Sequence, residues 1–279
     1  MAGLLDRTPA AELSDTELRE LTEFACELAD AAGPQILPHF RAPLAVDNKA
    51  GAGAYDPVTE ADRGAETAIR DLIRRTYPTH GIFGEEHGYE KGDSALTWVI
   101  DPVDGTRSFI TGALHWGTLI ALYNGARPVL GVMDQPYTRE RFIGNRLGAT
   151  LRRDGTLRVL KTRCCERLQD AVLYTTSPAM FATAEERATF ERLAQRVKLV
   201  RYGGDCYSYC MLALGYVDLV VESSLEPYDV QALVPIIEVA GGVVTVWDGG
   251  SANYGGQIIA AGTKAIHAAA REVLKGSSA

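Results

Sequence analysis

Two aspartates at the end of an apolar run, with two residues between them, are the arrangement in this chain best suited to chemistry. The run is Thr97-Trp98-Val99-Ile100 and the acids are Asp101 and Asp104, in the stretch WVIDPVDGT that ends at Thr106. Pro102 lacks an N–H and fixes its φ. Gly105 permits a positive φ and a close backbone approach. A turn of this composition can aim both carboxylates at one point, with the Val103 carbonyl beside them. The N–H groups of Gly105 and Thr106 would face the same space and could hold a phosphate oxygen. The plainer reading is an Asp-Gly turn with solvated acids.

Three further acidic stretches accompany it. Gly84-Glu85-Glu86 also closes an apolar segment, and by itself it reads as an ordinary acidic loop. DPVTEAD runs from Asp56 to Asp62, where Thr59 and Asp62 have the spacing of a helix capping box. Glu226-Pro227-Tyr228-Asp229 precedes a helix, where an N-cap aspartate is common.

The elements that must position these residues follow from periodicity. Ser14 with Glu17 predicts a capping box opening a helix with apolar positions Leu18, Leu21, Phe24, Ala25 and Leu28. Gly33-Pro34 should stop or kink it. Residues 48–55 read as a flexible Gly/Ala loop, and a second helix is expected from about Thr59 to Tyr77-Pro78. Strands are expected at 81–84, 97–100, 118–123, 129–133, 139–143 and 149–153. Hairpin chemistry is expected at 124–128 and a turn at Asp154-Gly155. From about Arg163 strands and helices alternate: strands at 171–175, 198–202, 218–222, 243–247 and 258–261, and helices at 184–196, 206–214 and 229–239. A last helix is capped by Thr263. The change of pattern suggests two halves, 1–155 and 156–279.

The composition is that of an ordinary globular protein. The chain has 279 residues, 46% hydrophobic and 23% charged, with a net charge of −8. An acidic balance disfavours nonspecific binding to nucleic acid or anionic membranes. No apolar stretch approaches the ~20 residues that span a bilayer. The start, MAGLLDRTPA, does not read as a signal peptide. Five cysteines, an odd number with no paired CxxC, predict idle thiols in a reducing compartment rather than a disulfide framework. The expected location is cytoplasmic. The five histidines are scattered and fit no ligand spacing.

Taken in order, DPVTEAD, GEE, DPVDGT and PYD followed by AGG resemble the inositol monophosphatase superfamily, from about Lys49 to Gly242. The resemblance implies an α/β fold, a layered αβαβα sandwich with mixed sheets, and hydrolysis of a small phosphate monoester. It implies two or three Mg²⁺ ions per subunit, held by Glu85, Asp101, Asp104, Asp229 and the Val103 carbonyl. Asp62 and Thr106, with Glu85, would position and deprotonate an attacking water. Gly105 and Thr106 would lie at the phosphate and Lys49 near the flexible loop, while Arg107 could support the phosphate region or contact a partner subunit. Members are often homodimers, so a homodimer is expected. The chemistry agrees, since hard oxygen ligands suit Mg²⁺. Carboxylates ~4 Å apart repel by roughly 4 kcal/mol at an effective dielectric of 20, so a cluster of them needs cations or protons.

A shared metal site cannot select among inositol phosphates, fructose bisphosphate, phosphoadenosine phosphate and histidinol phosphate. Selection falls to the leaving-group side. There the resemblance implicates Asp205, Cys206 and Glu222. Arg107-Ser108-Phe109 after DGT and the Gly203-Gly204-Asp205 segment resemble the histidinol-phosphate phosphatase branch. Two carboxylates suit a cationic leaving group. The simpler role for Asp205 is to cap the helix beginning at Cys206. An inositol or broad sugar phosphatase is the alternative reading. A non-catalytic metal- or ligand-binding protein on the same fold is a more distant one, although every expected acidic position and Thr106 are present.

Overall fold

The structure is a computed structural model, and it describes residues 10–43, 46–48 and 57–275. The expected loop at 48–55, with Lys49, and Asp56 of DPVTEAD fall almost wholly outside the described residues. Helix α1 (Asp15–Ile36) begins at the Ser14/Glu17 capping box, and all five apolar positions named above are buried. It does not stop at Gly33-Pro34. Ala32 and Ile36 on either side of that pair are fully buried, and this packing outweighs the ~3 kcal/mol that an interior proline costs. The short strands β1 (Val46–Asn48) and β2 (Pro57–Thr59) pair antiparallel, and α2 (Glu60–Thr76) follows from its Thr59 cap.

A large sheet comes next: β3 (Gly81–Gly84), β4 (Gly88–Glu90), β5 (Thr97–Asp104), β6 (Gly117–Tyr123), β7 (Pro128–Gln135), β8 (Glu140–Asn145), β9 (Gly148–Arg153) and β10 (Thr156–Val159). Its order is β10-β9-β8-β7-β6-β5-β3-β4, and only β3 and β5 run parallel. The short helix α3 (Thr106–Ile110) leaves β5. A smaller sheet holds β11 (Val172–Thr175), β12 (Leu199–Tyr202), β13 (Leu219–Leu225), β14 (Val243–Val246) and β15 (Gly256–Ala261), in the order β12-β11-β13-β15-β14. Its helices are α4 (Ala184–Ala194), α5 (Asp205–Ala213), α6 (Pro227–Val230), α7 (Leu233–Val239) and α8 (Lys264–Leu274). The single helix expected over 229–239 is two. Pro235 has no N–H to give the Gln231 carbonyl, and the chain breaks between them.

The layers follow from period-2 burial. In β5 and β6, Trp98, Ile100, Ile120 and Leu122 pack under α1 and α2, whereas Val99, Leu119, Ala121 and Tyr123 face the opposite side. That second face joins α5, α7 and one face of the small sheet, including Val220, Ile258 and Ala260. The other face of the small sheet, with Leu219, Val221 and Ile259, packs with residues of α4 and α8. Both sheets are therefore buried on two sides, in the αβαβα order.

Candidate active site

β3 and β5 run parallel and end side by side, so Glu85 and Asp101 emerge at one edge of the large sheet. The Glu85 N–H donates to the Ile100 carbonyl, 3.2 Å, which ties the two ends together. The strand was expected to stop at Asp101, but β5 runs on to Asp104. Its pairing with β6 slips between Asp101↔Leu119 and Asp104↔Gly117, which leaves one extra residue in β5. Such a bulge re-aims side chains that would otherwise alternate across the sheet. The Thr118 hydroxyl donates to the Pro102 carbonyl, and the Val103 N–H donates to Asp101 Oδ1, which holds the bulge in shape. Gly105 follows at φ +80°, and a Cβ there would stand 2.6 Å from the His115 carbonyl oxygen.

Asp229 arrives from the other half of the chain, in the first turn of α6. Carboxylate oxygens of Asp101, Asp104 and Asp229 lie within 4.8 Å of one another. Burial pushes the Asp101 carboxyl well above the usual carboxylate range, with the charges of Glu85, Asp104 and Asp229 adding to it. Asp229 is raised likewise, by burial and then Asp104. Asp104 is pushed up to about 8, by burial and then by Asp205. The Glu85 carboxyl is hydrogen-bonded to Asp101 and belongs to the same cluster.

Asp62 and Asp229 are both capping residues. Each is the third residue of its helix, and each spends Oδ2 on the cap: Asp62 accepts from the Thr59 N–H at 2.9 Å, Asp229 from the Glu226 N–H at 2.8 Å. The second oxygen of Asp62 is buried with no hydrogen-bond partner. Burial raises Asp62 above the usual range, and the charge of Glu85 contributes. The Thr106 hydroxyl donates to the Val103 carbonyl, 3.1 Å, and the Thr59 hydroxyl donates to Asp62 at 2.5 Å.

A pocket of about 80 Å³ opens beside the cluster, lined by Asp104, Asp229, Asp205, Cys206, Glu222, Thr176, Tyr209, Met180 and Leu225. Asp205 does not cap α5. Its backbone is left-handed (φ +43°), its carboxylate accepts from the Ser108 hydroxyl at 2.6 Å, and the Cys206 N–H goes to Asp104 Oδ2 at 2.7 Å. Glu222, on β13, is buried and accepts from the Thr176 N–H and the Tyr209 hydroxyl. Burial raises both acids, and these hydrogen bonds oppose the rise. Arg107 lies close enough for its charge, like that of His115, to draw Asp205 back down. Sequence reading missed Thr176, Met180, Tyr209 and Leu225, because no pattern marks a residue that lines a pocket only after two sheets are packed. Glu66 was missed too, being one more acid on a helix face.

The donor set fits a hard divalent cation. It consists of oxygens only and its carboxylates are crowded, and a buried carboxylate oxygen of Asp62, whose carboxyl feels the charge of Glu85, has no hydrogen-bond partner. Among the described residues no helix is long and apolar enough to cross a membrane.

Comparison with known proteins agrees with this geometry. The inositol monophosphatase family profile matches residues 17–278. The bifunctional phosphatase IMPL2 of Arabidopsis thaliana is 44% identical over 95% of this chain and 78% of its own length. A histidinol-phosphatase of Mycobacterium tuberculosis is 34% identical over 85% and 91%. The structure of an inositol monophosphatase from Zymomonas mobilis superposes with a TM-score of 0.83 at 42% identity, covering 95% of this chain and all of that one. The match spans nearly the whole chain in sequence and in fold: the chain belongs to the inositol monophosphatase family.

Proposed function

We propose that this phosphatase-family member is a Mg²⁺-dependent hydrolase of histidinol phosphate, releasing histidinol and inorganic phosphate. The observation that carries the substrate choice is the pocket in which Asp205 and Glu222 stand beside Asp104 and Asp229. An uncharged polyol would leave these carboxylates facing hydroxyls alone. An ammonium and an imidazole would give them charge-assisted partners. The histidinol-phosphatase relatives support the same reading.

Glu85, Asp101, Asp104, Asp229 and the Val103 carbonyl would hold Mg²⁺, which when bound supplies positive charge to the phosphate and acidifies water. The free oxygen of Asp62 is suited to accept a proton from the attacking water, because burial has raised its basicity. Thr106, hydrogen-bonded to the Val103 carbonyl at the start of α3, lies next to the same space and would orient that water. Gly105, Thr106 and Arg107 would surround the phosphate. Asp205 and Glu222 would bind the leaving side, with Cys206 holding Asp104 through its amide.

The test is a substrate panel at saturating Mg²⁺, comparing histidinol phosphate, inositol 1-phosphate and fructose bisphosphate by kcat/KM. Histidinol phosphate should lead by at least about tenfold, the margin of one good charged contact. A lead for inositol 1-phosphate would replace this reading with the inositol phosphatase one, to which the Zymomonas mobilis likeness points.

A further inference from the structure

We infer that Glu66 is a positioning residue for the cation site, acting through the backbone of the segment that carries Glu85. The inference rests on the reading of Glu85 as a cation ligand. Glu66 sits on α2, one turn after Asp62, and is fully buried. Its Oε2 accepts from the Glu86 N–H at 2.7 Å, and its Oε1 accepts from the His87 N–H at 3.2 Å. Arg70, also buried, donates from Nε to the same Oε1 at 2.7 Å and from Nη2 to the Gly88 carbonyl. One buried ion pair therefore holds three consecutive backbone units directly after Glu85. Arg70 and Arg74 then tie Glu90, at the end of β4, to the same helix.

The space for this arrangement is made by Gly84. A Cβ on that residue would stand 2.1 Å from Glu66 Oε1, so the carboxylate occupies the side a larger residue would fill. A β3–β4 hairpin needs no such device to form, since Gly84 already pairs with Gly88 across the turn. A buried ion pair is also a poor way to gain stability, because desolvation consumes most of the attraction. The Ile100 carbonyl already holds the Glu85 N–H, and what the pair adds is Glu66 holding the next two N–H groups, so the backbone is fixed on both sides of the Glu85 side chain. With Asp62 on the same face, α2 serves the site twice, once by its own oxygen and once by aiming Glu85.

Three single variants and one double variant test this, read by calorimetric titration of metal-free protein with Mg²⁺ alongside activity. Glu66→Gln keeps the volume but replaces one acceptor oxygen by an amide NH₂ that cannot accept from an N–H. The Mg²⁺ dissociation constant should rise by about tenfold or more, as for other groups that orient a metal ligand, while KM at saturating Mg²⁺ changes little. Gly84→Ala displaces the carboxylate without changing any charge, and should weaken Mg²⁺ in the same sense even if Glu66→Gln folds poorly. Glu85→Gln separates the two layers of the argument. If it leaves Mg²⁺ binding intact, the reading of Glu85 fails. If it weakens binding while Glu66→Gln and Gly84→Ala lower only the melting temperature, the role of Glu66 alone is overturned. In the double variant Glu66→Gln/Glu85→Gln, binding should be no weaker than in Glu85→Gln, because the first residue acts only through the second. An additive loss would overturn the inference.

Discussion

Two sets of acids in this molecule, buried or half-buried, contrast. In the scaffold three buried ones each have an arginine: Glu66 with Arg70 at 2.7 Å, Asp134 with Arg141 at 2.7 Å, and Asp218 with Arg163 Nε at 2.6 Å. At the edge of β3 and β5, Asp101, Asp104 and Asp229 crowd together, and among the described residues none of the three is in an ion pair. The two sets differ in what compensates the charge. The fold supplies a fixed cation to the first and leaves the second to protons or to an exchangeable cation. Loss of a carboxylate should therefore have opposite consequences in the two regions.

The largest effect is expected from Asp104→Asn. The amide oxygen can still accept from the Cys206 N–H, so the local fold is kept. Activity should fall on the order of 10³-fold or more, as when transition-state charge stabilisation is lost. Metal-free protein should melt no lower than the parent, since one member of a repelling cluster is gone. Mg²⁺ should no longer raise its melting temperature. A variant that melts well below the parent without metal would erase the distinction between the two regions. Asp218→Asn is the complement. It leaves Arg163 without its charge partner, and a buried pair broken on one side costs about 3–5 kcal/mol. With the Arg163 side chain 42% exposed, water compensates part of this, and a loss of about 1–3 kcal/mol is expected. Denaturant unfolding measures it, and the Mg²⁺ affinity should not move.

Asp205→Asn sharpens the comparison within the pocket, where Asp205 accepts from Ser108 and Glu222 from Thr176 and Tyr209. The amide keeps an oxygen for the Ser108 hydroxyl and loses the charge. kcat/KM for histidinol phosphate should drop by about tenfold more than for inositol 1-phosphate, the equivalent of roughly 1.4 kcal/mol. Equal losses on both substrates would mean that Asp205 shapes the pocket without recognising a cation.

Much of this was legible in the residues, and the failures have causes. Strands were legible as short apolar runs, because both sheets are covered on two faces and β6 is buried at every position, and α1, α2 and α8 were legible as apolar stripes of period 3.6. The acidic cluster was legible through motif resemblance. Spacing alone gave Thr59/Asp62 as a capping box, and that is what it is; the second oxygen of the same carboxylate is buried without a hydrogen-bond partner. What remained hidden depends on distant packing. The Asp101–Asp104 stretch became a bulge rather than a turn because β6 pairs on both sides of it. Pro34 stayed inside a helix because of tertiary burial. Glu66 gained its place from a loop that lies twenty residues away in sequence.

The smallest effect concerns pH. Burial, and then the charge of Asp205, push the Asp104 carboxyl up to about 8 in the folded metal-free protein, from an ordinary value of 3.8. Between those values the folded state keeps a proton that the unfolded state has lost, so metal-free stability declines as pH rises through that window. Mg²⁺ binds the ionised form and must displace that proton below about pH 8. The metal-induced rise in melting temperature should therefore be larger at pH 8 than at pH 6, with protons released on binding from Asp104 and from Asp101 and Asp229, whose carboxyls are raised as well. In Asp218→Asn, where the altered acid lies in the scaffold, the same pH dependence should persist unchanged. A metal-induced stabilisation that is flat across this range in the parent would mean that the three aspartates are already ionised together, and the contrast between acids paired by the fold and acids left to an exchangeable cation would lose its electrostatic basis.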